Sequence, residues 1–465
     1  MIVAAAAVPA AAGPADAPWD GAVFAGATAP HPANITANPA AMLLITPGTH
    51  VFLGATGTLD RLAIERQVID DGGGDQPGPS VRSGTMGAGG HVGVIRAWPG
   101  GMVAFTAGTP PPEETIAGEE ALAYHSRGNR TRQKDWGTIA AGYRVTSRLS
   151  LGLAGSYGTR SSVVRFARDT ALESGRDPAR GVGSDCGGVR CGLEHPAAAE
   201  LWSIDVASDN TSIDDLSLSG GILVRLPGEL WLGLSYQRPW NLGRIERSGV
   251  ATVVGAPRDG AVVRRGESTL FDRLPEVVRV GARSRPRDRW DVVGELRWRR
   301  LGRIGADDVR VYGGDLAAGD TPAIYPRPRG LHDAVALEVG IEEVDDGQRL
   351  RLGARVGADS GAVAGEQMSA RAPWGRQLTA GGGLQLRLGS RWVVQAAYGV
   401  GFQPTVTADP SAFDPIDRLD CVDSGFDVEL AACDTVRGGY GAPTAAGAYG
   451  RWSHVGSLSL RVEVP

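Results

Sequence analysis

Connections that alternate between short and long join the strand-like segments of this sequence, and this alternation constrains the fold more than any other feature. The short connections are tight turns, such as residues 146–148 and 388–391. The long connections cover residues 109–135, 159–214, 239–274, 302–331, 359–375 and 403–448. An antiparallel sheet with tight turns at one end and long loops at the other is typical of a transmembrane β-barrel. We call these two ends the turn end and the loop end.

Apolar residues recur at every second position within the segments between these connections. Leu149, Leu151 and Leu153 share one face, opposite Ser150 and Gly152. The segments with this period are 49–60, 86–97, 101–108, 136–146, 148–158, 215–226, 229–238, 276–286, 289–299, 333–343, 348–358, 376–388, 391–402 and 449–464. Several run for about nine to twelve residues, the length that crosses a bilayer at a tilt. The sequence therefore predicts an all-β fold, an antiparallel transmembrane β-barrel of about fourteen strands with both termini at the turn end.

A soluble antiparallel sheet shows the same alternation, so the pattern alone does not say which face points inward. Aromatic residues near the strand ends favour a barrel in lipid, because transmembrane barrels carry aromatic girdles at both interfaces. These residues are Trp136, Trp231, Tyr236, Trp290, Trp298, Trp392 and Phe402. A β-propeller, the main soluble alternative, needs a repeat of about 40–50 residues, and the sequence shows none.

Composition excludes two other classes of protein. The chain has 465 residues, is 42% hydrophobic and contains no run of about 18 apolar residues, which excludes a helical membrane protein. Its formal net charge is -5, which gives no electrostatic support for a nucleic-acid partner. Residues 1–12 are apolar and alanine-rich, like the h-region and cleavage site of a secretory signal, but lack its basic n-region, as expected of an incomplete signal. We therefore expect export, with residues 1–12 as a signal-like segment.

Four cysteines fall in two pairs within long connections. Cys186 and Cys191 lie in one connection, and Cys421 and Cys433 lie in another. Paired cysteines in exposed loops indicate disulfides formed in an oxidising compartment. The sequence has no Cys-x-x-Cys pair, so we predict neither a metal site nor a cofactor. Six aspartates of the last connection form either a solvated acidic loop or a cation site without EF-hand spacing: Asp409, Asp414, Asp417, Asp420, Asp423 and Asp427.

Three stretches of the sequence resemble one family of outer-membrane proteins. Residues 37–42 read Ala-Asn-Pro-Ala-Ala-Met and precede a strand that begins near Gly48. Residues 274–282 lead into the strand that contains Trp290, and residues 447–449 precede the final strand. The order and spacing of these stretches are similar to those of the FadL/TodX-type outer-membrane hydrocarbon transporters, over nearly the whole chain.

The resemblance implies a fourteen-stranded barrel over residues 48–465 and an N-terminal hatch over residues 13–47 that plugs the lumen. It implies a bacterial outer-membrane channel for hydrophobic small molecules, long-chain fatty acids or aromatic hydrocarbons, which bind in the lumen and leave sideways into the bilayer. The expected partners are that substrate, outer-membrane lipid and lipopolysaccharide, and the relatives imply a monomer. The alternative is a surface or structural barrel whose long disulfide-pinned loops mediate interactions. An enzyme is not expected, because no Gly-x-Ser-x-Gly sequence appears and the histidines are scattered.

Two sets of residues are candidates for the functional site. Asn38, Pro39 and Ala40 match the hatch motif of the family, and they also predict a helix start with Asn38 as N-cap and Pro39 at the first position. Five arginines take the polar phase of their strands and are candidates to bind a substrate carboxylate: Arg144, Arg225, Arg279, Arg297 and Arg351. The alternative is that these arginines pair with acids of the same face: Asp291, Glu295, Glu338 and Glu342.

Overall fold

The fold is taken from a computed structural model that describes most of the chain. The described residues are 23–32, 34–69, 75–111, 113–115, 129–169, 196–207, 216–240, 244–287, 289–304, 306–313, 315–316, 323–328, 330–344, 349–370, 372–409, 411 and 445–464. All four cysteines and five of the six aspartates of the last long connection lie outside these residues. The disulfides and the acidic loop therefore stay predictions.

Most of the described residues are in strands. The strands are β1 (Gly48–Ile69), β2 (Asp75–Trp98), β3 (Gly101–Thr109), β4 (Glu113–Thr115), β5 (Asn129–Arg144), β6 (Leu149–Asp169), β7 (Ala199–Ala207), β8 (Ser217–Leu226), β9 (Leu230–Pro239), β10 (Arg244–Val254), β11 (Val263–Arg273), β12 (Val277–Arg287), β13 (Trp290–Arg299), β14 (Ala306–Tyr312), β15 (Ala323–Pro328), β16 (Ala334–Val344), β17 (Leu350–Asp359), β18 (Gln377–Leu388), β19 (Trp392–Ala408) and β20 (Gly447–Val464). The helical pieces are α1 (Asn34–Ala37) and the 3-10 turns Pro39–Leu44, Pro196–Ala198, Pro257–Asp259 and Gly365–Gln367. None of these described helices is both long and apolar enough to cross a membrane.

Fourteen of the described strands close into a ring, which confirms the predicted antiparallel barrel. Their order around the ring is β1, β2, β3, β5, β6, β8, β9, β12, β13, β16, β17, β18, β19 and β20. The last strand returns to the first, with Val464 opposite Thr49 and Gly447 opposite Arg66. The segments predicted from periodicity correspond one to one with these strands.

The two faces of the ring differ in chemistry, as the period of two predicts. On β9, Leu232, Leu234 and Tyr236 point outward and are between 42% and 46% exposed. The residues between them, Gly233 and Ser235, point inward and are buried. A continuous apolar outer face of this kind is stable only against lipid or a protein partner, because water disfavours large apolar patches. The outer face is therefore the lipid face of a transmembrane barrel.

Aromatic residues mark the two edges of this lipid face on β13. Trp290 and Trp298 are eight residues apart on the outward phase, which corresponds to about 26 Å along a strand at about 3.3 Å per residue. A tilt of about 40° reduces this to about 20 Å along the barrel axis, close to the height of the apolar band of such barrels. Two of the predicted girdle residues are placed differently. Trp136 and Trp231 lie on the inward phase and are buried, so their assignment to the girdle is wrong.

Strands also occupy four of the six long connections, which the sequence predicts as loops. Beyond the lipid face, β6 continues and pairs with β7, and β10, β11, β14 and β15 follow in order as one extension sheet. One face of this sheet is an apolar cluster that contains Phe166, Trp202, Ile204, Leu270 and Val309. Phe166 stacks on Trp202 with ring centroids 5.7 Å apart. The short β4 pairs with β5 in another long connection.

Candidate functional site in the barrel lumen

Residues 23–45, which we call the inner segment, lie inside the ring. The backbone N–H of Ala27 donates to Oε2 of Glu295 on β13 at 2.6 Å. The ring Nε2 of His31 is 2.8 Å from Oε1 of Gln395 on β19. On another side of the barrel, Nη2 of Arg144 on β5 donates to the carbonyl oxygen of Leu43 at 2.9 Å. Because these three strands are far apart around the ring, the inner segment crosses the lumen.

Glycines on the inward phase of the strands make room for the inner segment. A Cβ atom at Gly281 would stand 2.9 Å from Cβ of Ala27, and at Gly353 it would stand 2.7 Å from the ring of Phe24. Glycine weakens a strand and often marks a place where another backbone approaches closely. The inward glycines where a Cβ would press on the inner segment are Gly142, Gly152, Gly221, Gly233, Gly281, Gly353 and Gly383. The wall therefore fits this segment at many points.

Asn38 forms hydrogen bonds within the inner segment and with the barrel wall. It is fully buried, and its Oδ1 accepts from the backbone N–H of Ala40 at 3.0 Å. Its Nδ2 donates to the carbonyl oxygen of Ala27 at 2.6 Å and faces that of Ile222 on β8 at 3.3 Å. The predicted N-cap is therefore confirmed, with Pro39 at the start of the 3-10 turn. That Asn38, Pro39 and Ala40 act as a hatch motif stays a prediction.

Phe24 packs the described N-terminal end of the inner segment against the barrel wall. Its side chain is 1% exposed and lies in the space left by Gly353 and Gly383 on adjacent strands. The guanidinium carbon of Arg351 is 5.4 Å from the centre of its ring. A cation over an aromatic face is attractive, more so where water is excluded. The same apolar ring thus covers one of the predicted lumen arginines.

The wall of the lumen is apolar on one side and charged on the other. On β1–β3, the inner segment packs its residues Met42 and Leu43 against Phe52, Ile95 and Met102. The opposite side carries a network of arginines and carboxylates from β12, β13, β16 and β17. Its pairs are Arg283 and Arg285 with Asp291, Arg297 with Glu338, Arg351 and Arg355 with Glu342, and Arg299 with Asp359. Buried charges need such partners, since an unpaired charge is costly away from water.

The five predicted arginines are spread over different surroundings. Arg297 donates to Glu338 at 2.9 Å and Arg351 pairs with Glu342, as the alternative interpretation expects. Arg279 is buried in the wall, and Arg144 holds the inner segment. Arg225 lies at the turn end, where it is half-exposed beside Glu229 at 3.5 Å. The structure brings Arg297 and Arg351 into one network and leaves Arg144 and Arg225 outside it, so a ligand contact for any of them stays a prediction.

At the loop end, a buried apolar cluster lies on the inner face of the barrel. We call this group the mouth cluster, and it includes Leu62, Ile64, Val81, Leu331, Met368 and Tyr449. Met368 belongs to the connection between β17 and β18, which folds inward and buries Ala370 and Ala372 beside it. Apart from Tyr449, the first residue of the predicted segment 449–464, these residues lie beyond the predicted ends of the strands, and sequence periodicity missed them. Inward apolar residues in the second half of β1 were the available signal.

Two small cavities lie beside the described lumen contacts. A cavity of about 30 Å³ lies between β1, β2 and Trp374 beside the mouth cluster. Another of about 10 Å³ lies between residues 25–28 and the carboxylates of Glu295 and Glu338. A single water molecule needs about 10–15 Å³ of such space, so these two cavities are of the size of one or two water molecules.

These features define a transmembrane β-barrel with an N-terminal segment inside its lumen. No protein family model and no curated protein matches the sequence. Solved structures share the fold over nearly the whole chain. A crystal structure of a Pseudomonas aeruginosa FadL homologue is 14% identical, with a TM-score of 0.71 and 96% of each chain covered.

Two solved hydrocarbon channels are also similar. The Ralstonia pickettii toluene transporter TbuX is 13% identical, with a TM-score of 0.58 and 94% of each chain covered. The CymD monoaromatic hydrocarbon channel is 16% identical, with a TM-score of 0.58, and the match covers 95% of this chain and 93% of that one. The chain therefore has the fold of the FadL/TodX-type barrels, which confirms the resemblance seen in the sequence.

Proposed function

We propose that this protein is a channel of the bacterial outer membrane for the uptake of hydrophobic small molecules, either long-chain fatty acids or aromatic hydrocarbons. The solute enters at the loop end, binds in the lumen and leaves sideways into the bilayer. The fold shared with named hydrocarbon channels supports this class of solute. The turn end, where β1 begins and β20 ends, faces the periplasm.

The mouth cluster is the observation that carries the proposal. An aqueous pore has a polar interior, whereas here an apolar cluster is buried among the inward residues at the loop end, with Ile64 and Met368 at 1% and 0% exposure. Each methylene of a solute that leaves water for such a surface gains about 0.8 kcal/mol. A solute with a long alkyl chain or an aromatic ring is therefore captured without a specific polar contact.

The inner segment supplies the gate in this proposal. It crosses the lumen and is held on both sides, by Glu295 at one point and by Arg144 at another. Movement of Phe24 away from its seat exposes Arg351 to the lumen, where a substrate carboxylate would compete with Glu342 for its guanidinium group. This makes Arg351 the best placed of the five predicted arginines for a fatty acid. An aromatic hydrocarbon would use the apolar wall alone.

Uptake by whole cells tests the proposal. A strain that lacks the gene is compared with the same strain carrying it, with labelled oleate and labelled toluene as separate probes. We expect faster uptake of at least one probe when the gene is present. If the two strains take up oleate at the same rate and also toluene at the same rate, with the protein shown to be in the outer membrane, the proposal is contradicted.

The alternative function is a surface barrel whose long loops mediate interactions. The extension sheet of β7, β10, β11, β14 and β15 favours it, because a folded sheet beyond the lipid face offers a defined surface. The uptake experiment separates the two functions. A surface barrel leaves both probes unaffected, and removal of the extension sheet then changes binding of a partner rather than uptake.

A further inference from the structure

An excess of positive charge stands on the lipid face at the loop end of β9, β12 and β13. Glu276 lies just before β12 and is contacted by two arginines, with Arg303 at 2.8 Å and Arg300 at 3.5 Å. Arg238 is the next outward residue after Tyr236 on β9, and among the described residues no carboxylate pairs with it. Three guanidinium groups against one carboxylate leave this group, which we call the arginine cluster, with a formal charge of +2.

The arginine cluster stands directly above the apolar part of the lipid face. Read from the turn end, the outward side chains of β9 are Leu232, Leu234, Tyr236, Arg238 and Trp240, all of them exposed. The order is apolar, aromatic and then cationic, with a further aromatic residue beyond. Strand β13, which is separated from β9 by β12, repeats it with Leu296, Trp298 and Arg300 in the same phase. This order follows the layers of a membrane from hydrocarbon through the interface to the head groups.

The cations remain accessible although they contact Glu276. The side chains of Arg300 and Arg303 are 41% and 36% exposed, whereas that of Glu276 is 12% exposed. Tyr236 donates its hydroxyl to Oε2 of Glu276 at 3.1 Å. The single carboxylate is therefore occupied by the tyrosine and two arginines, and the outer edges of the guanidinium groups face the head-group layer. Arginine binds phosphate with two parallel hydrogen bonds, which suits this exposed edge.

We propose that the arginine cluster binds the phosphates of lipid A, the phosphorylated glycolipid of the outer leaflet. The charge of +2 complements phosphate groups at the level of the head groups, and the apolar rows of β9, β12 and β13 below it receive the acyl chains. The proposal rests on the loop end facing the cell exterior, as in the proposed function. It concerns the outer wall of the barrel and is independent of which solute the lumen carries.

Binding of defined lipids to the full-length protein in detergent tests the proposal, with native mass spectrometry as the readout. The variant Arg238→Gln/Arg300→Gln/Arg303→Gln removes the three cations. The matched control is Arg96→Gln, because Arg96 lies on the same lipid face at the turn end, where it donates to Thr49 at 2.8 Å. A heat-dependent gel shift shows that each variant is folded.

We expect diphosphoryl lipid A to bind the triple variant about tenfold more weakly than the wild type, since three charge-assisted contacts are lost. Arg96→Gln should bind like the wild type. Fully dephosphorylated lipid A should bind the wild type and the triple variant equally weakly. Its binding to the wild type tests the phosphate contact without any substitution in the protein. Equal binding of the two lipids to the wild type, or unchanged binding of diphosphoryl lipid A to the folded triple variant, would overturn the proposal. Uptake of oleate and toluene by the triple variant is measured separately, so that loss of transport and loss of lipid binding are told apart.

Discussion

At the scale of single residues, the inward glycines decide where the inner segment rests. Gly221 and Gly220 are neighbours on β8 and face opposite sides of the wall. A Cβ at Gly221 would overlap Oδ1 of Asn38, whereas a Cβ at Gly220 would meet Leu153 at an ordinary 3.5 Å. A methyl group added at Gly221 should therefore displace the inner segment, whereas one added at Gly220 should leave it undisturbed.

Gly221→Ala should open the lumen. The added methyl group displaces Asn38, and its three hydrogen bonds to Ala27, Ile222 and Ala40 are lost or weakened. Loss of such buried contacts costs about 1–3 kcal/mol. In planar bilayers we expect more frequent or larger conductance events than for the wild type. Gly220→Ala, the matched control, should behave like the wild type, and identical conductance of the two variants would contradict this role of the glycine.

The charged wall gives a second residue-scale prediction, for stability. Arg297→Gln leaves Glu338, whose side chain is 17% exposed, with Arg355 at 3.9 Å as its remaining arginine among the described residues. Removal of one partner from a buried pair costs about 3 kcal/mol. We expect a lower temperature for the heat-dependent gel shift. Arg225→Gln removes a half-exposed partner of Glu229, and such pairs contribute less than about 1 kcal/mol.

The comparison of these two arginine variants separates structural from ligand-binding roles. Both residues take the inward phase, and both are candidates for a substrate carboxylate. If Arg297→Gln unfolds at the wild-type temperature, its pairing with Glu338 contributes nothing to stability. Reduced oleate binding by the folded Arg297→Gln variant would then favour the ligand role.

At the scale of elements, periodicity predicted the fourteen ring strands but not their full length. β1 was expected to end near residue 60 and runs to Ile69. Beyond the lipid face the outward positions of β1 are polar, with Arg61 and Glu65 exposed, so the apolar period that marks a strand in lipid disappears. Apolar residues continue at every second position only on the inward face of β1, at Leu62 and Ile64. The extension sheet was missed for the same reason.

The path of the inner segment could be predicted only in part. The Asn-Pro-Ala stretch indicated a helix start and a place in the lumen, whereas the seat of Phe24 had no local signal. The available signal lay elsewhere in the chain, in inward glycines such as Gly353 and Gly383 within otherwise regular strands. Sequence patterns show that these positions lack side chains, but only the folded barrel shows which segment fills them.

The connection between β17 and β18 should loosen when its buried anchor is removed. Met368 is fully buried in the mouth cluster, and replacement of such a side chain by alanine costs about 2–5 kcal/mol. We expect Met368→Ala to be cut faster by trypsin at the exposed Arg376. The neighbouring Glu366 is exposed, so Glu366→Ala should be cut at the wild-type rate. Equal rates for both variants would show that the mouth cluster does not hold this connection.

At the scale of the whole molecule, the described residues occupy the lumen at two levels. The inner segment crosses the lumen, the mouth cluster lies at the loop end, and the two cavities beside these contacts measure about 30 and 10 Å³. In the proposed function, the inner segment moves to let a solute pass. Each of the fourteen ring strands is paired on both edges, because β20 pairs with β1 and closes the ring.

A disulfide between the inner segment and the wall tests most directly whether the inner segment must move for a solute to pass. Cγ2 of Thr28 lies 3.6 Å from where a Cβ at Gly281 would stand, a separation that the disulfide of Thr28→Cys/Gly281→Cys spans after a small shift. The controls are each single cysteine variant and the wild type with the same reductant. For the probe that the wild type takes up, we expect the oxidised double variant to reduce uptake to the level of the deletion strain. Reduction of the disulfide should restore uptake. Wild-type uptake by fully oxidised protein would contradict this expectation.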